Sequence, residues 1–247
     1  NQWYYVYNQW YYVYNYIYYY KPINITKFSD NIIQLTLPIT PNDKYYKIWI
    51  CCPEISLFEW HPFSLVNDKV YIKLSGNWTS SFFKIVGIEG NCVFPCVYPK
   101  LLLMRKSIIF PNNILQLLSI PSVFICSGIG LTTFIGLLNI VVVDYTLNIL
   151  VITKSLDDIN WCLDIITNIS KRNTNIFFTF AFTDTIFTVS FDFDCNIIYS
   201  RPDIHHFIEN CYISNKFSRN LNVLYSGPNI PLPRSKKYNI FTFWFSF

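Results

Sequence analysis

The sequence has little charge and few of the residues that bind metals. Charged residues make up 14% of the 247 positions, and histidine occurs three times. The eight cysteines include no CxxC pair and no cluster with histidine at the spacing of a metal site, which argues against a zinc centre. Lysine and arginine are scattered and the formal net charge is +4, so the sequence lacks the basic surface of a nucleic-acid-binding protein. We therefore expect no metal bound by this chain, no nucleic-acid partner, and reduced thiols that are mostly buried.

Apolar residues are abundant. Hydrophobic residues account for 52% of the chain and aromatic residues for 19%, which excludes a disordered protein and provides for a substantial core. The length suits one large domain or two modest ones.

The first 21 residues form a low-complexity, tyrosine-rich segment. The heptad Asn-Gln-Trp-Tyr-Tyr-Val-Tyr occurs twice in tandem, and a further tyrosine-rich run ends at Tyr20. This segment is too polar for a membrane-spanning helix, although its aromatic residues favour a membrane–water interface. We interpret residues 1–21 as a separate segment, either beside a membrane or outside the fold.

Residues 114–143 carry no charge and are long enough to span a bilayer. Pro121, three glycines and several polar residues interrupt the run, which favours another interpretation. A buried strand at 123–126, a glycine turn and an apolar helix at 134–143 explain the same pattern, because strands covered on both faces are continuously apolar. A membrane span remains the alternative.

The remaining periodicity divides the chain into two parts. Short runs rich in isoleucine, valine, threonine and tyrosine predict strands at 24–28, 32–37, 45–51 and 69–74, and this spacing is typical of an antiparallel barrel or sandwich. Later, strands alternate with helices, which predicts a parallel sheet. The later strands are predicted at 123–126, 146–153, 176–182 and 221–225, with helices at 134–143 and 157–169. A boundary near 105–120 gives two domains, residues 22–115 and 116–247.

The most distinctive motif runs from Cys52 to Leu65 and reads CPEISLFEWHPFSL. By itself, His61-Pro62 indicates a strand edge with one titratable ring, and a core histidine beside an aromatic cluster is the alternative. The complete run resembles a segment of the NADPH oxidase and ferric reductase family, in which HPF[ST] lines the FAD site. The resemblance implies an aromatic ring against the isoalloxazine and short donors near the phosphates. The implied FAD-binding residues are His61, Pro62, Phe63, Ser64 and Leu65.

A second motif follows at Gly76-Asn77-Trp78-Thr79, where the family has G-D-W-T. Alone it would indicate a turn with a buried tryptophan. After the HPFSL run, the resemblance adds Trp78 and Thr79 to the implied FAD site, with Thr79 as a phosphate or ribityl contact.

The segment ICSGIGLTTF, residues 125–134, resembles the family turn G-[AS]-G-I-G-V-T-P-F after the first strand of the NADPH domain. Glycines there let the backbone approach a pyrophosphate, and the following helix offers free N–H groups. Cys126 stands where the family has its first glycine, and Thr133 stands where it has proline. The implied NADPH-binding residues are Ser127, Gly128, Ile129, Gly130 and Thr132.

Later segments resemble further parts of this nucleotide domain. Lys154 follows a strand whose terminal arginine in the family grips the 2′-phosphate, although a solvated lysine would explain it equally well. The family's G-R-P implies NADPH contacts from Arg201 and Pro202, and its C-G-P turn implies contacts from Gly227 and Pro228. Ser226 replaces the cysteine of that turn and Phe247 stands at the flavin-covering position, so the implied catalytic residues are Ser226 and Phe247. The family's G-P-[FY]-G turn has no glycine at the comparable residues 97–100.

The resemblance spans residues 22–247 and implies a ferredoxin reductase-like protein. Its parts would be an antiparallel FAD-binding β barrel and a Rossmann-like NADPH-binding domain. The implied reaction passes hydride from NADPH to FAD and then single electrons to haem, giving superoxide from oxygen. Three histidines, two of them adjacent, cannot supply paired axial ligands, so the haem is expected in a separate or missing membrane domain. This part would then be membrane-associated and face the cytosol. The alternatives are a ferric-chelate reductase and a non-catalytic flavoprotein-like module.

Overall fold

The structure is a computed structural model that divides into two compact units, residues 1–109 and 110–247. It describes residues 23–37, 46–86, 96–98, 102–108, 119–138, 143–184, 188–214, 221–228, 232 and 237–244. The tyrosine-rich segment at 1–21 and Phe247 lie outside the described residues.

The first unit is built on one antiparallel sheet of seven strands. These are β1 (Ile23–Ser29), β2 (Ile32–Thr36), β3 (Tyr46–Cys51), β4 (His61–Val66), β5 (Lys69–Lys73), β6 (Cys96–Tyr98) and β7 (Leu103–Ile108). They lie in the order β6-β1-β2-β5-β4-β3-β7. A single helix of the described part, α1 (Asn77–Ile85), follows β5.

The sheet of the first unit curls around one core. Ile25 of β1 and Ile50 of β3 stand four positions apart in the strand order, yet both lie in the same buried cluster. Trp78 and Phe82 of α1 fill that cluster from one side. Apolar and polar residues alternate along β1, where Ile23 and Ile25 are buried and Asn24 between them is exposed. This alternation places the apolar side chains on the face of the sheet that lines the core.

The second unit is a six-stranded parallel sheet. Its strands are β8 (Ser122–Ser127), β9 (Leu147–Thr153), β10 (Ile176–Phe182), β11 (Cys195–Ile198), β12 (Leu221–Gly227) and β13 (Tyr238–Trp244). Every described pairing is parallel, in the order β11-β10-β9-β8-β12-β13. The α-helices in the described part of this unit are α2 (Leu131–Leu138), α3 (Leu163–Arg172) and α4 (Ile204–Ser214).

The strand order reverses between β8 and β12. From β8 the chain builds outward through β9, β10 and β11, and it then returns to the other side of β8 to form β12 and β13. In open α/β sheets, ligands bind beyond the carboxyl ends of the strands at this kind of switch point. The residues that end β8 and β12 are therefore the first place to look for a nucleotide site.

The predicted strand–turn–helix interpretation of residues 123–143 is correct, but its helix is misplaced. The helix Leu131–Leu138 begins three residues before the predicted start at 134, and residues 139–142 of the predicted helix lie outside the described residues. Thr132 and Thr133, two of the polar residues in this run, lie inside the helix. The Thr132 hydroxyl is satisfied there, because it donates to the Ile129 carbonyl at 2.8 Å. No helix in the described ranges is long and apolar enough to cross a membrane.

The predicted helix at 157–169 is also shifted. Two 3₁₀ turns, Leu156–Asp158 and Asn160–Cys162, precede α3, and the Trp161 indole holds the first turn by donating to the Asp158 carbonyl at 3.0 Å. The helix then extends to Arg172, three residues past the predicted end. Arg172 stabilises this end because its guanidinium donates to the Leu138 carbonyl of α2 at 2.8 Å, next to its own helix C-terminus.

Six helices and strands were not predicted from the sequence: β6, β7, α1, β11, α4 and β13. The helix α4 did carry a usable signal, because its apolar residues recur at three- and four-residue spacing.

Candidate functional site

The strand that carries the HPFSL motif changes partner halfway along. The four residues from His61 to Ser64 pair with β3, whereas Leu65 and Val66 pair with β5. In these registers the sheet is open between β4 and β5 alongside His61–Ser64. Pro62 suits such an edge, because proline cannot donate to a strand partner. The motif therefore begins at an opening in the sheet and ends in its core.

An aromatic cluster fills the side of this opening. The His61 ring stacks on Trp78 at a centroid distance of 4.4 Å, and the Phe63 ring lies 6.0 Å from the same indole. Trp78 in turn stacks on Phe82 at 5.1 Å. We call these four residues the Trp78 cluster. It joins the two motifs that the sequence assigned to one flavin site.

The surroundings of His61 favour its neutral form. Its Nε2 lies 3.8 Å from the Glu59 carboxylate, and about a third of the side chain is exposed. Burial lowers the pKa of His61 below its ordinary value, and the neighbouring Glu59 opposes that shift. A neutral imidazole retains one donor and one acceptor nitrogen, which suits it to a polar ligand edge.

The Trp78 indole N–H is an unusual group in this cluster. Trp78 is 5% exposed, and its Nε1 is buried with no hydrogen-bond partner among the described residues. A buried donor without an acceptor costs free energy, so such groups mark places where a ligand or water supplies the acceptor.

Thr79 is engaged within its own loop. Its hydroxyl oxygen accepts from the backbone N–H groups of Ser75 and Gly76, both at 3.0 Å, and its proton goes to the Gly76 carbonyl at 2.9 Å. This arrangement fixes the start of α1 and thereby the place of Trp78. Its hydroxyl therefore has a role in shaping the loop, beside the ligand contact that the sequence suggested.

The other residues of the motif differ in exposure. Pro62 and Phe63 are partly exposed, whereas Ser64 and Leu65 are buried and Leu65 belongs to the hydrophobic core. Sequence reasoning missed Phe82, although its position four residues after Trp78 on a helix places the two rings on one face.

In the second unit, the predicted glycine turn stands at the switch point of the sheet. Ser127 ends β8, and Gly128–Gly130 form a 3₁₀ turn that leads directly into α2. Gly128 has a φ of +53°, a left-handed conformation that glycine adopts at little cost. The turn therefore presents backbone N–H groups and a helix N-terminus at the carboxyl end of β8.

Two glycines allow the ends of β8 and β12 to pack closely. A Cβ on Gly130 would lie 2.4 Å from the Ser226 carbonyl oxygen. A Cβ on Gly227 would lie 2.7 Å from the Tyr225 hydroxyl and 3.0 Å from the Ser127 Cβ. Both positions thus require glycine for packing within the protein.

The positions that depart from the family pattern lie together in space. Ser226 is fully buried, and its hydroxyl donates to the Thr133 hydroxyl at 3.2 Å. Cys126 is the strand partner of Ser226, and its thiol donates to the Leu150 carbonyl at 3.6 Å. Burial raises the pKa of the Cys126 thiol, so it stays protonated. Ser226, assigned a catalytic position by the sequence, faces the protein interior.

Lys154, the predicted 2′-phosphate residue, and Arg201, a predicted NADPH contact, follow strands that end at the same edge of the sheet. Lys154 follows β9 and the exposed Arg201 follows β11, with Pro202 next to it. The strand β10 separates them, and Asp184 beyond its end donates its backbone N–H to the Lys154 carbonyl at 3.1 Å.

The last predictions from the sequence concern residues 97–100, Phe247, the cysteines and metal binding. Residues 96–98 form β6, while Pro99, Lys100 and Phe247 lie outside the described residues. Six cysteines of the described ranges are free thiols, and five of these six are buried: Cys51, Cys52, Cys126, Cys162 and Cys211. Within those ranges, no group of three histidine, cysteine or acidic side chains could hold a metal ion.

Two curated relatives match part of the chain. It is 37% identical over 100 residues to NADPH oxidase 3 of Rattus norvegicus, a match that covers 37% of this chain and 17% of that protein. It is 28% identical over 124 residues to the mitochondrial ferric reduction oxidase 8 of Arabidopsis thaliana, covering 45% of this chain and 17% of that protein. In both matches the chain covers less than a fifth of the relative's length. No family model matches the chain.

Solved structures resemble both units together. Ferredoxin-NADP⁺ reductase from Plasmodium falciparum, a variant crystallised with 2′P-AMP, shares 15% identity at a TM-score of 0.56 and covers 90% of this chain and 94% of its own. Flavohemoglobin from Malassezia yamatoensis, with bound FAD and heme, shares 16% identity at a TM-score of 0.56 and covers 91% of this chain and 60% of its own. The fold is therefore ferredoxin reductase-like, and the resemblance of this chain to the NADPH oxidase and ferric reductase family is confirmed.

Proposed function

We propose that this chain is the dehydrogenase part of a flavin-dependent oxidoreductase that takes hydride from NADPH. Residues 22–115 would hold FAD and residues 116–247 would hold NADPH. The electrons would leave singly for a haem domain in a membrane and reduce oxygen to superoxide. The observation that carries this proposal is the Trp78 cluster at the opening of β4, where a buried donor has no acceptor among the described residues.

The residues around β4 fit the flavin. His61 and Phe63 offer partly exposed rings beside the open strand edge, and the Trp78 indole offers a buried N–H. Thr79 and the loop before α1 hold that indole in place, while Ser64 and Leu65 tie the strand to the core. When bound, FAD supplies the conversion of a two-electron transfer into single-electron steps.

The switch point of the parallel sheet fits the dinucleotide. The backbone from Ser127 to Gly130 and the start of α2 near Thr132 suit a pyrophosphate, because they combine N–H groups with a helix N-terminus. Gly227 and Pro228 stand at the facing strand end. Lys154, Arg201 and Pro202 stand at the same edge, where the two cations suit a 2′-phosphate.

The haem and the final acceptor belong to a part that this chain does not contain. The three histidines, His61, His205 and His206, cannot form paired axial sites, since two are adjacent on α4. Higher identity to the oxidase than to the ferric reductase supports oxygen as the acceptor over ferric iron. We propose that the dehydrogenase part is held at the membrane on its cytosolic side by this partner.

Loss of either ring at the opening of β4 should weaken flavin binding. We expect His61→Ala and Phe63→Ala each to raise the Kd for FAD about tenfold, because an aromatic contact contributes about 1 kcal/mol beyond its buried area. The measurement is retention of FAD by the purified protein, followed by titration of the flavin-free form.

Two control variants separate this effect from a general loss of side chains. Phe28→Ala removes a 43% exposed ring of the same sheet, and His205→Ala removes an exposed imidazole of the other unit. Both should keep the wild-type Kd. Equal FAD retention in all five proteins would rule out the opening of β4 as the flavin site.

A further inference from the structure

The end of β12 is held by a tyrosine that no motif singled out. Tyr225 is 1% exposed, and its hydroxyl donates to the Pro228 carbonyl at 2.8 Å. The hydrogen bond spans the Ser226-Gly227 step and closes the turn from the protein side. Burial raises the pKa of Tyr225 to about 12, so the phenol is a proton donor throughout the physiological range.

The phenol also determines the space around Gly227. The place of a Cβ on this glycine is taken by the Tyr225 hydroxyl on one side and by Ser127 of β8 on the other. Gly227 thus lies between the tyrosine and the end of the neighbouring strand. The conformation of the turn and the contact between β8 and β12 depend on the same hydroxyl.

The other side of the turn is fixed by Ser226. Its hydroxyl donates to Thr133 of α2, and the Gly130 backbone lies against its carbonyl. With its side chain buried and hydrogen-bonded to α2, Ser226 faces the protein interior. The exposed atoms of this turn belong to Pro228.

We infer that Tyr225 is a positioning residue for the reaction with NADPH: its hydroxyl sets the Gly227-Pro228 backbone on which the reacting end of the dinucleotide rests. Ser226 and Thr133 support the same turn from the helix side. This inference rests on the proposed function and adds to it a residue outside the family motifs. Small displacements of a positioning element can cost up to about a hundredfold in rate, because hydride transfer depends on the approach of two atoms.

The test is Tyr225→Phe, which removes one oxygen and keeps the ring. In the FAD-loaded protein mixed anaerobically with NADPH, we expect the limiting rate of flavin reduction to fall about tenfold, with a change of less than about threefold in the Kd for NADPH. In the absence of nucleotide, hydrogen exchange of the backbone around residues 226–227 should be faster than in the wild type. FAD content and melting temperature show whether the variant is folded.

Tyr199→Phe is the matched control. The Tyr199 hydroxyl also bonds to the backbone, because it accepts from the Val189 N–H at 2.8 Å. This bond joins the end of β11 to the segment before that strand and lies outside the 226–228 turn. This variant should keep the wild-type rate and the wild-type exchange at 226–227.

The outcomes separate the two proposals. If flavin in Tyr225→Phe is reduced by NADPH as fast as in the wild type, the inference alone is overturned. Unchanged hydrogen exchange of the backbone at 226–227 in this variant would also overturn it. A wild type that binds FAD but is not reduced by NADPH would overturn the proposed function and the inference together.

Discussion

Replacing Trp78 with alanine is expected to abolish FAD retention and to destabilise the first unit by about 3–5 kcal/mol, the usual cost of deleting a buried tryptophan. Trp78 is 5% exposed and lies between His61 and Phe82, so its removal leaves a cavity in the core and frees the imidazole ring. Urea unfolding monitored by circular dichroism measures the loss of stability. The flavin content of the purified protein measures the loss of FAD retention.

Trp78→Phe separates packing from hydrogen bonding. It keeps a ring against His61 and removes the buried N–H that has no partner among the described residues. Removal of an unsatisfied donor offsets part of the lost packing. The free energy of unfolding of the flavin-free protein should therefore fall by about 1 kcal/mol or less. FAD binding should still weaken about tenfold, because the ligand then lacks the donor. An unchanged Kd for FAD in Trp78→Phe would show that the indole N–H does not face the flavin.

Replacing Gly130 with alanine is expected to disrupt the nucleotide half. The added Cβ would lie 2.4 Å from the Ser226 carbonyl oxygen, and this neighbour is backbone, which cannot rotate away. The ends of β8 and β12 must separate, at a cost of about 1–3 kcal/mol typical of overpacking. We expect a lower melting temperature and at least a tenfold loss in the rate of flavin reduction by NADPH, with FAD content retained.

Gly76→Ala is the control for stability. Gly76 has an extended φ of −157°, and nothing lies within 4 Å of its Cβ position, although it caps α1. Its replacement should therefore cost no more than about 1 kcal/mol, the value of a changed helix cap. If Gly130→Ala were as stable and as rapidly reduced as the wild type, the close packing of β8 against β12 would be refuted.

Much of the fold follows from local pattern. The run at 24–28, rich in isoleucine and threonine, and the continuous apolar run at 123–126 each predicted a strand that the structure contains. Helix bounds were less accurate. The sequence alone does not show that Trp161 and Cys162 hydrogen-bond within 3₁₀ turns before α3, so the predicted start came six residues early.

The sequence predicted which residues lie in the candidate sites better than it predicted the contacts between them. The motifs placed His61 and Trp78 in one site, and the structure stacks these rings although they are 17 positions apart. The bond between Ser226 and Thr133 joins residues separated by 93 positions, and only the tertiary packing brings them together. The sequence showed two separate departures from a family pattern, whereas the structure shows one hydrogen-bonded pair.

The reaction we propose for this chain is the transfer of hydride from NADPH to bound FAD. The direct measurement is anaerobic mixing of the FAD-loaded protein with NADPH while the yellow flavin absorbance is followed. We expect the absorbance to bleach on addition of NADPH and Gly130→Ala to slow this reaction without loss of flavin. Bound flavin that keeps its colour in the presence of NADPH would contradict the proposed function.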